Sequence, residues 1–294
     1  MLKVIHFIGP ILFIFIFVKF INMNTLFTTL KTVSLKYLFI SFLFNILMLL
    51  GKIYRLHFLL NKSGIRVRFF HLSKIYSYSF LLGQMSHVLV ADITAIGILF
   101  LDQKNKLRIS NIFIINKAAD LLMIFSIFLI CLTINFHILN IHINYEKVIL
   151  ISLIFLLLTV VIYFLKSRFL VFIKDLLLTM MSFIFHIIVF TIFIYIFYIV
   201  ISVNHAKAFD VDIPISFLLL VYTSGNLITA LPISLSGIGT RDLTFIALLN
   251  LVNIPSETAL TLSSIGYIIV PLFTIATIYI ASLIGSKYED SHHR

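Results

Sequence analysis

Residues 176–202 contain no Asp, Glu, Lys or Arg. A helix of that length rises about 40 Å at 1.5 Å per residue, enough to cross a hydrocarbon core about 30 Å thick. Few folds can accommodate such a run. In lipid, every backbone N–H and C=O must be bonded within protein, so only helices and closed barrels span a bilayer. The alternating strands of about ten residues that build a barrel are absent. With 11% charged residues and a mean hydropathy of +1.16, the chain reads as an all-α integral membrane protein.

Six full spans are predicted, at about 4–21, 34–51, 111–133, 147–165, 175–202 and 258–284. Their orientation follows from the loops. Lys52, Arg55, Lys62, Arg66, Arg68 and Lys74 fall in one segment without an acidic residue, which places 52–74 in the cytoplasm. Both termini are then cytoplasmic, and the loop at 204–213, with Lys207, Asp210 and Asp212, faces out. Within the basic loop, Ile53–Ile65 is predicted to lie as an interfacial helix. The net charge of +11 is accounted for by loops facing anionic lipid, not by nucleic acid. The first run, Val4–Val18, lacks a small-residue cleavage site and reads as a retained anchor. Cys131 is the single cysteine, so a disulfide within the chain is impossible.

Two further apolar segments are interrupted. Ile75–Leu101 contains Gly83, Gln84, Ser86, His87, Asp92 and Gly97, and has basic residues on both sides. Its 27 residues are too few for two spans, so it is predicted to be re-entrant. Ile213–Leu249 has the same character. Gly83 to Gly97 and Gly225 to Gly239 are both fourteen residues apart, and superposing them aligns Gln84 with Asn226 and Thr94 with Ser236. Each half then reads span, span, re-entrant segment, span, with opposite orientation. The chain is therefore expected to be a single membrane domain over 1–294, made of two inverted-topology repeats at about 1–133 and 147–285.

The second interruption is the most polar. Leu231-Pro232-Ile233-Ser234-Leu235-Ser236-Gly237-Ile238-Gly239-Thr240-Arg241-Asp242 sets an adjacent cation and anion after a helix breaker and two glycines. Arg241 offers a planar fork of donors suited to phosphate. Bare amides at the start of a half-helix near Gly239 would add to it. The candidate substrate-binding residues here are Ser234, Ser236, Gly237, Gly239, Arg241 and Asp242. The competing reading is a purely structural Arg241–Asp242 pair. Asp92, Lys117 and Asp120 are candidates from the first half. Lys117 and Asp120 share a helix face and can pair with each other, while Lys117 or Arg241 could instead meet Asp92. His87 and His186 read either as proton relays or as packing residues. Metal-ligand spacing, phosphate-binding loops and nucleophile motifs are all absent, so neither cofactor nor catalytic set is expected.

The run from Pro232 to Asp242, followed by Ile254, Pro255 and Ala259–Ser264, resembles the signature of the lysylphosphatidylglycerol synthase/flippase-like transmembrane family. The family's usual form is Pro-x-Ser-x-Gly-Gly-x-Gly-x-Arg-Glu. Ser236 replaces the first glycine, and Asp242 replaces the glutamate while keeping its charge. In the first half, where the family tends to carry Pro-Gly, an arginine and Glu-Arg-x-x-Asp, this chain has Val90-Ala91, Leu99 and Asn116-Lys117 with Asp120. The resemblance implies a bacterial cytoplasmic-membrane protein that moves a phospholipid or polyprenyl-phosphate-linked anionic lipid between leaflets. The synthase activity of the family name belongs to a soluble domain and is not expected here. The alternative is a non-transporting subunit that binds membrane lipid or a lipid-linked glycan and scaffolds a glycosyltransferase or other envelope enzyme.

Overall fold

The structure is a computed structural model and describes residues 31–85, 88–102, 105–139, 169–230, 234 and 237–291. The spans predicted at 4–21 and 147–165, and His87, lie outside the described residues. Among the described residues every regular element is helical. Four helices are long and apolar enough to cross a membrane: Leu35–Lys62, Lys106–Ile134, Phe183–Ala208 and Ser256–Gly285. They are multi-pass elements of a membrane protein.

Helix α1 (Leu35–Lys62) shows how one helix serves two solvents. Ser41, Asn45, Leu49, Ile53, Leu56 and Leu60 are buried and recur every three or four residues, whereas Leu35, Phe39, Leu43 and Leu47 are exposed on another face. The buried stripe packs chiefly on α5 (Phe169–Ala208). The interfacial helix predicted at Ile53–Ile65 does not form separately. Its first ten residues continue α1, and Ile53, Leu56, Leu59 and Leu60 enter the core. An apolar stripe in register with the preceding span outweighs the basic residues on the same segment. The helix stops at Gly64, in the left-handed region at φ +80°, where the Ile65 amide reaches back to the Leu60 carbonyl at 3.0 Å. Asp210 ends α5, and Asn253 the helix over Thr240–Asn250, in the same way, with Val211 and Ile254 amides bonding Ala206 and Leu249 carbonyls.

The two interrupted segments each fold as a pair of short helices. In the first, α2 (Phe69–Met85) and α3 (Val88–Asp102) pack against each other, and a Cβ on Gly83 would lie 2.7 Å from that of Ala91. In the second, α6 (Ile215–Ala230) packs on α7 (Thr240–Asn250), with Gly225 against Phe245 and Arg241. At 15 to 17 residues, α2, α3 and α6 are about 22–25 Å long, short of the roughly 30 Å core. The two hairpins are not superposable glycine for glycine. Gly97 sits in the middle of α3, while Gly239 precedes the first turn of α7, so the fourteen-residue spacing marks different places in the two halves.

Two apolar cores result. One joins the second half of α1 with α2, α3 and the start of α4 (Lys106–Ile134). The other surrounds α6, where Phe217 to Thr223 are buried on every side by α4, α5 and α7, as expected of a helix apolar all round. The final span is continuous from α8 (Ser256–Ser264) through a π-helical turn at Ile265–Ile269 into α9 (Val270–Ser291). Between the two cores lies a largely apolar cavity into which several charged side chains project.

Candidate functional site

The second hairpin breaks where the sequence carries Pro232, two serines and two glycines. Gly237 and Gly239 have φ of +82° and +85°, a region that side chains with a Cβ avoid. The chain then turns into α7, with the Arg241 amide bonding the Gly237 carbonyl and the Leu243 amide bonding the Gly239 carbonyl, both at 2.9 Å. The amides expected to be bare are not all so. The Gly239 N–H donates to Asp242 Oδ2 at 2.9 Å, so the carboxylate caps its own helix. A side chain three residues on fills the place an external anion would take. Ser234 is buried, with its hydroxyl 2.7 Å from that of Thr240. Ser236 lies outside the described residues.

Arg241 and Asp242 are each 1% exposed. The Ser263 hydroxyl bridges them, accepting from Arg241 Nε at 3.1 Å and donating to Asp242 Oδ1 at 2.5 Å. Arg241 Nη2 is 3.5 Å from the same carboxylate oxygen. The guanidinium also sits 4.7 Å above the centre of the Tyr267 ring, a cation–π contact from the π-helical turn.

The first half supplies a second charged network. Arg55, fully buried, donates to Asn116 Oδ1 at 2.8 Å, Thr191 Oγ1 at 2.7 Å and Asp120 Oδ1 at 2.9 Å. Three helices, α1, α4 and α5, are thereby tied by one side chain. Lys52 stands 3.9 Å from the other oxygen of Asp120. Lys117 pairs with Asp92 across α4 and α3 at 2.9 Å. The pairing of Lys117 with Asp120 along α4 is therefore replaced by two pairs between helices, because each side chain meets a nearer opposite charge on a neighbour. His186 packs its ring 4.8 Å from that of Phe58.

These networks border one cavity of about 350 Å³ between the two hairpins. Asp92, Lys117, Asp120 and Arg241 line it. Asp242, Ser234, Gly237 and Gly239 are not in its lining; Asp242 pairs with Arg241 and caps α7, and the Gly237 carbonyl accepts from the Arg241 amide. Its far side is aromatic. Tyr198 accepts from Asn226 Nδ2 at 2.6 Å, Tyr222 stacks on Tyr267 with ring centres 5.8 Å apart, and His205 Nδ1 lies 3.1 Å from the Tyr222 hydroxyl. The sequence reading missed Lys52 and Arg55, assigned to a loop, and this tyrosine cluster. Asn45 and Asn226, lone amides within apolar helices, were the available signal, since both line the cavity.

The fold and this site define a multi-pass helical membrane protein with an ion-paired cavity between two helix hairpins. The chain belongs to the lysylphosphatidylglycerol synthase TM region family, whose sequence model matches residues 2–285. No curated protein and no solved structure matches it.

Proposed function

We propose that this chain is a flippase-like transporter that carries the headgroup of an anionic lipid, a phospholipid or a polyprenyl-phosphate-linked lipid, through the cavity between its hairpins. The observation that carries the reading is the convergence of Lys52, Lys117 and Arg241 with Asp92 and Asp120 on one cavity inside an apolar bundle. Ionisable groups at membrane depth are costly and mark substrate pathways. A volume of about 350 Å³ falls within the range of small-ligand sites. It suits a headgroup while the acyl chains remain in lipid.

In this reading the hairpins α2–α3 and α6–α7 are re-entrant and belong to repeats of inverted topology. Their short helices, the close-approach glycines Gly83 and Gly225, and the long span that follows each support it. The protein lies in the bacterial cytoplasmic membrane with both termini inside, as the basic segment 52–74 suggests. It acts as a transporter, not an enzyme: the charged groups that border the cavity are paired, Lys117 with Asp92, Asp120 with Arg55 and Lys52, and Arg241 with Asp242.

Reconstitution tests the proposal. Purified protein in liposomes should move a fluorescent phosphatidylglycerol analogue between leaflets faster than empty liposomes. Binding of the lipid without redistribution would replace the transporter with the scaffolding subunit, a lipid-binding partner of an envelope enzyme.

A further inference from the structure

Three of the ion pairs around the cavity, among the described residues, differ in exposure. Arg55 and Asp120 have side chains 0% and 15% exposed, and Arg241 and Asp242 are both at 2%, whereas Lys117 and Asp92 are at 35% and 33%. The first two pairs are also held by neutral side chains, Asn116 and Thr191 in one case and Ser263 in the other. An exposed pair is weak, because water already solvates both partners. A lysine ammonium is a point charge with rotatable donors and changes partner readily, unlike an arginine locked in a planar fork. The cation that an incoming anion can capture is therefore Lys117.

A second cation stands ready for the same anion. Lys52 borders the cavity, is 22% exposed, and lies a long 3.9 Å from an Asp120 carboxylate whose other oxygen is bonded by Arg55. Lys52 projects from α1 and Lys117 from α4, so an anion between them bridges two spans.

Asp92 connects this site to the first hairpin. It belongs to α3, which packs mainly on its hairpin partner α2 and only lightly on α4. The Lys117–Asp92 contact is thus an ionic tie between the hairpin and the span beside it.

We infer that Lys117 and Lys52 form the docking site for a phosphate group, and that Asp92 is its resident competitor, holding the α2–α3 hairpin against α4 until phosphate takes Lys117. The inference rests on the transporter reading and names the contact that begins its cycle. Arg241, buried with its Nε bonded to Ser263 and its guanidinium beside Asp242 and over the Tyr267 ring, shapes the cavity wall.

The experiment uses the full chain in phosphatidylcholine nanodiscs, with labelled phosphatidylglycerol as the probe. Asp92→Asn removes the competitor and should tighten Kd by about 2- to 5-fold, the range that one exposed ion pair accounts for. Lys117→Gln should weaken Kd by on the order of 10-fold or more, and Lys52→Gln by less. Spin labels at Val90 and Leu122, both exposed, in a Cys131→Ser background should show a longer α3–α4 distance in Asp92→Asn without lipid. A folded Asp92→Asn protein whose affinity is unchanged or weaker overturns the inference. Competition by glycerol phosphate or inorganic phosphate would show that the phosphate group alone fills the site. Competition by lipid only would show that acyl chains contribute, and either result requires the lysines. Transport in liposomes is measured alongside. Tighter binding by Asp92→Asn in a protein that moves no lipid keeps the docking site and discards transport. Transport indifferent to all three substitutions does the reverse.

Discussion

Removing Arg55 should unfold more of this protein than any other single surface-like substitution suggested by its sequence. Arg55→Met keeps most of the apolar stem and deletes the guanidinium. What remains is Asp120 without its 2.9 Å partner, and the Thr191 hydroxyl and Asn116 amide each without a charged donor. Breaking a buried pair by removing one partner costs about 3–5 kcal/mol. Two effects reduce this. Lys52 stands 3.9 Å from Asp120 and can close in, and Asp120 is 15% exposed toward the cavity. The two lost side-chain bonds add back to the cost, at about 1 kcal/mol each. The net is about 3 kcal/mol, equivalent to a fall of roughly 6–12 °C in apparent Tm for a chain of this size. Detergent-solubilised protein is heated and the folded fraction read by size-exclusion fluorescence, alongside Asp120→Asn and the double variant. Because each single change strands the other member of the pair, the loss in the double variant should be well below the sum of the two single losses. A melting curve for Arg55→Met within a degree or two of wild type would refute the reasoning, and with it the role of Arg55 as the tie among α1, α4 and α5.

Arg241→Ala and Asp242→Ala should each lower stability by about 2–4 kcal/mol, with the double change no worse than either alone, because Ser263 bridges them in one unit; the same thermal assay checks it. Arg241→Lys should recover only part, since an ammonium has no flat face to lay on Tyr267. Gly83→Val places methyl groups where Ala91 already sits and should cost about 1–3 kcal/mol by overpacking the first hairpin, whereas Gly97→Ala, with open space around it, should be neutral or better in the same measurement. In a Cys131→Ser background, a cysteine at 66 should react with impermeant reagent from the cytoplasmic side and one at 207 from the outside; labelling of both from one side would exclude the proposed orientation.

The sequence by itself determined the solvent and therefore the class of fold. Runs such as 176–202 leave the backbone no partner but itself, so helices follow from length and apolarity alone. It also located both hairpins, because Pro232, Gly237 and Gly239 act on the residues next to them, and the interruptions around Gly83 were visible as polarity within a short run. The family signature was legible for the same local reason. Partnership was not. Asp92 and Lys117 are 25 positions apart, and Arg55 reaches Asp120 and Thr191 across 65 and 136. Arg55 looked like a headgroup-level cation because counting basic residues records charge and not direction. It lies inside because Ile53, Leu56 and Leu60 extend the buried stripe of α1 past the end of the apolar run, carrying Arg55 with them. Asp242, next to Arg241 in the chain, looked like its simple counter-ion, yet half of its carboxylate is used on the Gly239 amide. Periodicity and turn chemistry are properties of one segment, and the chain records them directly. Which charge meets which depends on the distances and rotations between packed helices, and only the assembled bundle sets those.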